Sequence, residues 1–114
     1  MKILIHGGHV IDPANRVDSK LNILVEDGKV AWVGTGMKDA DQLLDATGKI
    51  VTPGFIDIHM HEDPVKDGVL QQDIFPMMLR MGVTTATGGN CGINVYDPSA
   101  YLDLVDREGA AVNV

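Results

Sequence analysis

The sequence is poor in the residues that define several common classes of protein. It has one cysteine, Cys91, and 4% aromatic residues among its 114 residues. A lone cysteine cannot form an internal disulfide, which excludes a disulfide-stapled extracellular scaffold. Cationic residues are also few, since nine Lys and Arg stand against sixteen Asp and Glu. With a net charge of −7 and no basic cluster, neither nucleic acid nor an anionic membrane is an expected partner.

Long apolar runs are missing as well. The first one, residues 1–5, is followed at once by His6-Gly7-Gly8 and is too short for a signal peptide. No stretch approaches the roughly 20 apolar residues of a membrane span. A hydrophobic content of 45% is nevertheless typical of a globular domain. We therefore expect a cytoplasmic globular protein with the size of one ordinary domain.

Residues 1–52 are predicted to form an antiparallel β region. Short apolar runs alternate there with turn signals, and the strongest of these signals is Asp27-Gly28. That dipeptide between two apolar runs favours the tight turn of a β-hairpin. We interpret His6 and His9 as surface residues, because no complementary ligands lie near them in the sequence.

The pattern changes at Pro53, where predicted strands and helices begin to alternate. Asp73 is the expected N-cap of a first helix that stops at Gly82, and a second helix is expected from Asp97-Pro98 to Gly109. The predicted strands cover residues 55–60, 83–87 and 110–114. The order β-α-β-α-β indicates an α/β fold with a parallel sheet and right-handed crossovers.

The most informative segment is Pro-Gly-Phe-Ile-Asp-Ile-His-Met-His at residues 53–61. Side chains alternate across a strand, so Asp57, His59 and His61 are expected on one face, where two imidazoles can converge on one cation. Cys91 follows the next predicted strand in a glycine-rich loop. Functional residues of parallel sheets lie at the carboxyl ends of the strands. We therefore predict a metal site of His59, His61 and Cys91, a donor set that favours Zn²⁺ over Mg²⁺ or Ca²⁺.

Several assignments around this site stay open. Taken alone, Cys91 is more simply an inert small residue, and only its position beyond a parallel strand favours a thiolate ligand. Asp57 is expected to hydrogen-bond in the core near the metal. Asp63 and Asn90 are candidates for holding a ligand or touching substrate, although Asp63 fits a solvated loop acid equally well. Glu62 is expected to face away from His61 if the strand persists.

With these residues in place, the chain resembles the amino-terminal part of a metal-dependent hydrolase of the amidohydrolase superfamily. The resemblance is carried by the motif at 53–61 after a β-rich leader that contains Asp27-Gly28-Lys29-Val30. Further segments are similar to the N-acyl-D-amino-acid deacylase (D-aminoacylase) branch, namely Gly82-Val83-Thr84-Thr85, Gly89-Asn90-Cys91-Gly92, Tyr101-Leu102 and Ala111-Val112-Asn113-Val114.

The resemblance implies the first units of a (β/α)₈ TIM-type barrel over residues 53–114, beside a small antiparallel β-sandwich portion over 1–52. It also implies one or two zinc ions, or another divalent metal, and a small-molecule amide substrate such as an N-acyl-D-amino acid. His59 and His61 map onto the first-strand histidine pair. Cys91 maps onto the cysteine that replaces the carboxylated lysine of other members, and Asp63 onto an acidic position just after the pair.

Length sets the limit of this resemblance. A (β/α)₈ barrel takes about 250 residues, whereas residues 53–114 supply only the first strands. The later histidine ligands and the general base are therefore expected elsewhere, and the chain reads as an inactive fragment whose partner is the rest of the enzyme. Two alternatives remain open. One is a dihydroorotase or cyclic-amidase type of hydrolase, which normally uses lysine as the bridging ligand. The other is a non-catalytic piece that binds metal or self-associates through an open sheet edge.

Overall fold

The computed structural model describes residues 1–92 and 96–114. The chain forms two compact units, Met1–Pro53 and Gly54–Val114. Together they contain both strands and helices, which confirms a mixed α/β protein in which strands predominate. Neither helix in the described residues is long and apolar enough to cross a membrane.

The first unit is built almost entirely of short strands. In chain order the strands are β1 (Lys2–His6), β2 (His9–Asp12), β3 (Val17–Lys20), β4 (Asn22–Glu26), β5 (Lys29–Gly34), β6 (Gln42–Asp45) and β7 (Ile50–Val51). Strands β5, β4, β1 and β6 form one sheet in that order, and β3, β2 and β7 form another. A turn of 3₁₀ helix at Pro13–Asn15 connects β2 to β3.

The hairpin predicted at Asp27-Gly28 is confirmed. Strands β4 and β5 pair antiparallel, with Glu26 opposite Lys29. Asp27 and Gly28 both have positive φ angles, 49° and 78°. Such angles give the turn the twist that matches its flanking strands, and Asp-Gly is a favoured pair for this conformation.

The prediction of a purely antiparallel region is wrong for two strand pairs. Strand β1 pairs parallel with β6, and β2 pairs parallel with β7. Each parallel partner lies far along the chain, so the intervening segments can return it in the same direction. Alternation of apolar residues shows which face of a strand is buried but carries no information about the direction of its neighbour.

The second unit combines short strands with two helices. Its elements are β8 (Phe55–Asp57), β9 (Val65–Lys66), β10 (Val69–Leu70), α1 (Ile74–Arg80), β11 (Val83–Ala86), a 3₁₀ turn (Asn90–Gly92) and α2 (Pro98–Glu108). Strands β8 and β11 pair parallel, as the β-α-β pattern predicts. Strands β9 and β10 form a small antiparallel hairpin that the sequence did not indicate.

All three predicted strands are shorter than expected, the middle one by a single residue, since β11 ends at Ala86. The first ends at Asp57 instead of residue 60. The last, over residues 110–114, is reduced to one parallel bridge between Thr85 and Asn113. That bridge continues the sheet beyond β11, since Asn113 N–H donates to the Thr84 carbonyl over 2.9 Å. These pairings form the first strands of a parallel sheet. The closed barrel and the β-sandwich stay predictions.

The core of the second unit lies where the helices cover the strands. Helix α2 contributes Tyr101, Leu104 and Val105, whose spacing places them on one face of a helix. Phe75 of α1 is fully buried. The other buried members of this core are Met60, Leu70, Met78, Ala86 and Val112. The predicted bounds of α2 are confirmed, with the Asp97 carboxylate accepting the Ala100 N–H over 3.0 Å.

Helix α1 is capped by Asp63 and not by Asp73. The side chain of Asp73 makes no capping hydrogen bond. The buried carboxylate of Asp63 accepts three backbone N–H groups at the helix start, those of Asp73 at 3.0 Å, Ile74 at 2.7 Å and Phe75 at 2.9 Å. A negative charge at this end also interacts favourably with the helix dipole. The cap therefore comes from ten residues upstream, where a local sequence pattern cannot reveal it.

Tyr101 joins this buried arrangement from α2. Its hydroxyl donates to the backbone carbonyl of Asp63 over 3.1 Å. Burial, with smaller contributions from the Asp63 and Glu62 carboxylates, raises the pKa of Tyr101 to about 12. The neutral phenol is therefore the form that the folded unit stabilises.

Replacing Asp63 and Asp73 separately by Ala tests which carboxylate caps α1. We expect Asp63→Ala to lower the free energy of unfolding by about 1–3 kcal/mol, because buried N–H groups lose their acceptor. Asp73→Ala is the matched control and should change it by less than about 0.5 kcal/mol. Equilibrium unfolding in urea measures both, and equal losses would contradict the assignment.

Alkaline titration tests the environment of Tyr101. The folded pKa lies above the unfolded value, so the stabilisation is complete below about pH 10 and is lost as the pH rises towards about 12. Tyrosinate absorbance should therefore show a late component that Tyr101→Phe removes and that Tyr96→Phe, the control at the other tyrosine, retains. A late component that survives in Tyr101→Phe would refute this prediction.

Candidate metal centre

Three potential metal ligands converge in the second unit. One ligand atom each from His59, His61 and Cys91 lies within 4.8 Å of the others. The Cys91 Sγ lies 3.5 Å from His59 Nε2. The two imidazoles meet edge to face, with 5.9 Å between ring centroids and 71° between ring planes. All three residues are exposed, so an ion can reach them directly.

The donor set fits a tetrahedral ion of borderline softness. Zinc bonds to nitrogen and sulfur are about 2.0–2.3 Å, which separates ligand atoms around one ion by roughly 3.5 Å. The distance between Cys91 Sγ and His59 Nε2 already equals this value. Rotation of the side chains can shorten the other separations, which reach at most 4.8 Å. Imidazole and thiolate together suit Zn²⁺ far better than Mg²⁺ or Ca²⁺, which prefer oxygen.

The histidines are placed by a bend that follows β8. Strand β8 ends at Asp57, whose carboxylate accepts the His59 N–H over 3.0 Å. Such an aspartate bond to the backbone two residues on stabilises a turn. Met60 then enters the core with 5% exposure, which leaves the imidazoles of His59 and His61 outside it. His59 and His61 thus stand on either side of a buried Met60, as the predicted alternation requires, whereas Ile58, predicted on the same face as Met60, is 76% exposed.

Cys91 has an unusual backbone. Its φ and ψ angles of 63° and 11° are left-handed, a conformation that L-residues other than Gly rarely adopt. Gly89 and Gly92 near it also have positive φ angles. Strain of this kind persists where the surrounding structure imposes it, and it is concentrated at functional sites. Here it accompanies the approach of the thiol to His59.

Hydrogen bonds join the Cys91 loop to the histidine segment. The Asn90 side-chain amide donates to the Thr87 carbonyl at 2.8 Å and to the Met60 carbonyl at 3.4 Å. The Glu62 carboxylate accepts the Gly89 N–H. Asn90, expected to hold a ligand or touch substrate, thus contacts the backbone of its own loop and that of the histidine segment. The sequence predicts that Glu62 faces away from His61, because it predicts a strand that continues past Asp57, and no local signal indicates the contact of Glu62 with Gly89.

Asp63 lies apart from these contacts. The sequence predicts Asp63 beside a metal ligand or the substrate. In the structure its carboxylate oxygens instead accept N–H groups at the start of α1. With 1% exposure it is not a solvated loop acid either. In the other unit, His9 is exposed as predicted and pairs with Asp18 over 2.6 Å.

Known proteins resemble this chain in sequence. No family model matches it. It is 46% identical over 122 residues to a dihydroorotase of Elusimicrobium minutum, a match that covers 100% of the chain and 28% of that protein. It is 35% identical over 115 residues to a D-aminoacylase of Alcaligenes xylosoxydans xylosoxydans, covering 95% of the chain and 23% of that protein.

A solved structure shows the same similarity in three dimensions. The N-acyl-D-glutamate deacylase of Bordetella bronchiseptica, crystallised with zinc and a phosphonate mimic of the tetrahedral intermediate, superposes with a TM-score of 0.81 at 29% identity. The match covers 98% of this chain and 28% of that one. The chain thus spans about a quarter of the length of these relatives. The comparisons confirm the predicted resemblance to the amidohydrolase superfamily and its D-aminoacylase branch.

Proposed function

From its similarity to amidohydrolases, we propose that this chain supplies part of the metal centre of a zinc-dependent hydrolase that cleaves a C–N amide bond. The convergence of His59, His61 and Cys91 carries the proposal. Two imidazoles and one thiol within bonding reach of a common point form a donor set that selects zinc among the ions common in proteins. The similarity to a deacylase that contains zinc supports the same ion.

Each residue of the site has a defined task in this proposal. His59 and His61 donate nitrogen lone pairs, and Cys91 donates its sulfur as a thiolate. Asp57 fixes the backbone of His59, since its carboxylate accepts the His59 N–H. Zinc, when bound, supplies Lewis-acid activation of water and of the amide carbonyl. We propose that the further ligands and the general base come from the additional length that the relatives possess.

The proposed substrate is an N-acyl-D-amino acid. The resemblance assigns a cysteine at this ligand position to the deacylase branch, and Cys91 occupies it beside His59. The superposition on an N-acyl-D-glutamate deacylase supports the same class. The alternative is a dihydroorotase-type reaction, which the 46% identity to a dihydroorotase favours. In that type the resemblance implies a lysine as the bridging ligand, so the participation of Cys91 in metal binding discriminates between the two.

A non-catalytic, self-associating piece is the remaining alternative. The exposed side chains of Phe55, Ile56 and Ile58 favour it, at 57%, 67% and 76% exposure. Apolar side chains grouped along a short strand are typical of surfaces that another polypeptide covers. Metal binding by the cluster is not required in that case.

Zinc binding by single-residue variants tests the ligand set. We expect His59→Ala and Cys91→Ser each to weaken zinc binding by more than about tenfold, since loss of a ligand should exceed the usual effect of an outer partner. His9→Ala is the matched control, because His9 pairs with Asp18 in the other unit. Zinc per chain is measured after equilibrium dialysis at graded free zinc. Unchanged binding in Cys91→Ser would remove Cys91 from the site and favour the dihydroorotase type.

An activity assay tests how much of the catalyst these residues provide. We expect the 114-residue chain loaded with zinc to show no measurable hydrolysis of N-acyl-D-amino acids, because it offers ligands without an assigned general base. A full-length D-aminoacylase assayed in parallel is the positive control. Turnover by homogeneous 114-residue material would contradict this expectation.

A further inference from the structure

Glu62 is the charged side chain near the cluster to which the proposed mechanism gives no task. It directly follows His61 and is half-buried, so its carboxylate is held against the protein surface. That carboxylate accepts the backbone N–H of Gly89. Gly89 lies in the loop that carries Cys91, two residues before the thiol. One side chain thus links the segment of the two histidines to the segment of the cysteine.

The packing around this contact is close. A Cβ at Gly88 would lie 2.5 Å from the Glu62 Oε1 and 2.9 Å from its Cδ. A Cβ so close would displace the carboxylate, which is the flexible end of the Glu62 side chain, so Gly88 leaves room for it to accept the Gly89 N–H. The contact therefore combines two features of the sequence, an acid after the second histidine and a glycine opposite it.

Asn90 supplies a second link, which runs from the Cys91 loop to the histidine segment. It directly precedes Cys91, and its amide donates to the carbonyl of Met60, which lies between the two histidines. Each ligand-bearing segment thus extends one side chain to the backbone of the other. Together the two links hold the Cys91 loop, whose backbone at Cys91 is left-handed, against the histidine segment.

We propose that Glu62 is a positioning residue of the metal centre, which fixes the loop of Cys91 against His59 and His61 by accepting the Gly89 N–H. This inference rests on the proposed function, since it assumes that the three side chains share one ion. Outer hydrogen bonds of this kind orient metal ligands, and their loss usually costs 10- to 100-fold in metal affinity. Glu62 acts on the backbone of the loop and does not itself bind the ion.

Cobalt titration of the 114-residue chain tests the proposal with a readout specific to sulfur. Bound Co²⁺ gains a strong near-ultraviolet band when a thiolate ligand transfers charge to it, and Cys91 is the one cysteine of the chain, so this band reports the Cys91–metal bond. We expect Glu62→Ala to weaken Co²⁺ binding about tenfold or more and to reduce this absorption per bound ion. Glu62→Gln should restore both, because its amide carbonyl can accept the Gly89 N–H. Asp106→Ala, at an exposed acid of α2, is the matched control.

A second variant keeps the test valid if Glu62→Ala does not fold. Gly88→Ala keeps the Glu62 side chain but adds a methyl group that displaces its carboxylate from the loop. The same loss of affinity and of charge-transfer absorption is expected. Circular dichroism of each variant verifies its secondary structure, and a general loss of stability would not change the absorption per bound cobalt.

The possible outcomes separate this inference from the proposed function. Undiminished affinity and absorption in Glu62→Ala and Gly88→Ala, with a wild-type chain that binds Co²⁺ through its thiolate, would overturn the role of Glu62 alone. A failure of Glu62→Gln to restore binding would overturn the hydrogen-bond explanation. Absence of thiolate-bound cobalt in the wild-type chain, or its persistence in Cys91→Ser, would overturn the metal centre and this inference with it.

Discussion

The candidate site depends on the parallel pairing of β8 with β11. Phe55 lies opposite Val83 and Asp57 opposite Ala86, and the pairing continues past both strands, where Thr87 N–H donates to the Asp57 carbonyl over 2.8 Å. This register puts the segments that leave the two carboxyl ends side by side, so the histidines that follow β8 meet the cysteine that follows β11. Gly54 permits the close approach of its segment to Thr84 of β11, because a Cβ at residue 54 would lie 2.0 Å from Thr84 Oγ1.

Three acidic residues near the histidine motif serve different neighbours. Asp57 binds the backbone of His59, Glu62 binds the backbone of Gly89, and Asp63 binds the first N–H groups of α1. Their positions in sequence are close, yet Asp57 bonds to the chain two residues further on, Glu62 bonds to the next loop and Asp63 enters the core. The division follows from the end of β8 at Asp57. Beyond it the chain bends, and adjacent side chains point to separate parts of the unit.

Features that depend on local interactions are predictable from the sequence, and those that depend on distant residues are not. The hairpin at Asp27-Gly28 and the bounds of α2 depend on turn and cap residues that lie within the elements themselves. The parallel partners of β1 and β2, and the capping of α1 by Asp63, depend on residues distant in sequence. For the site, the donors and their approach to one another were predictable, but the links through Glu62 and Asn90 were not.

Residue identity and spacing establish the chemistry of the site without any coordinates: they show which donors are present, that two of them stand one residue apart, and that strands and helices alternate from Pro53 onwards. The end of β8, the carboxylate that caps α1 and the backbone amide that Glu62 binds follow only from contacts in the folded chain. Hydrogen bonds and burial arise between segments that folding brings together, so their partners are fixed by distance in space and not by order along the chain.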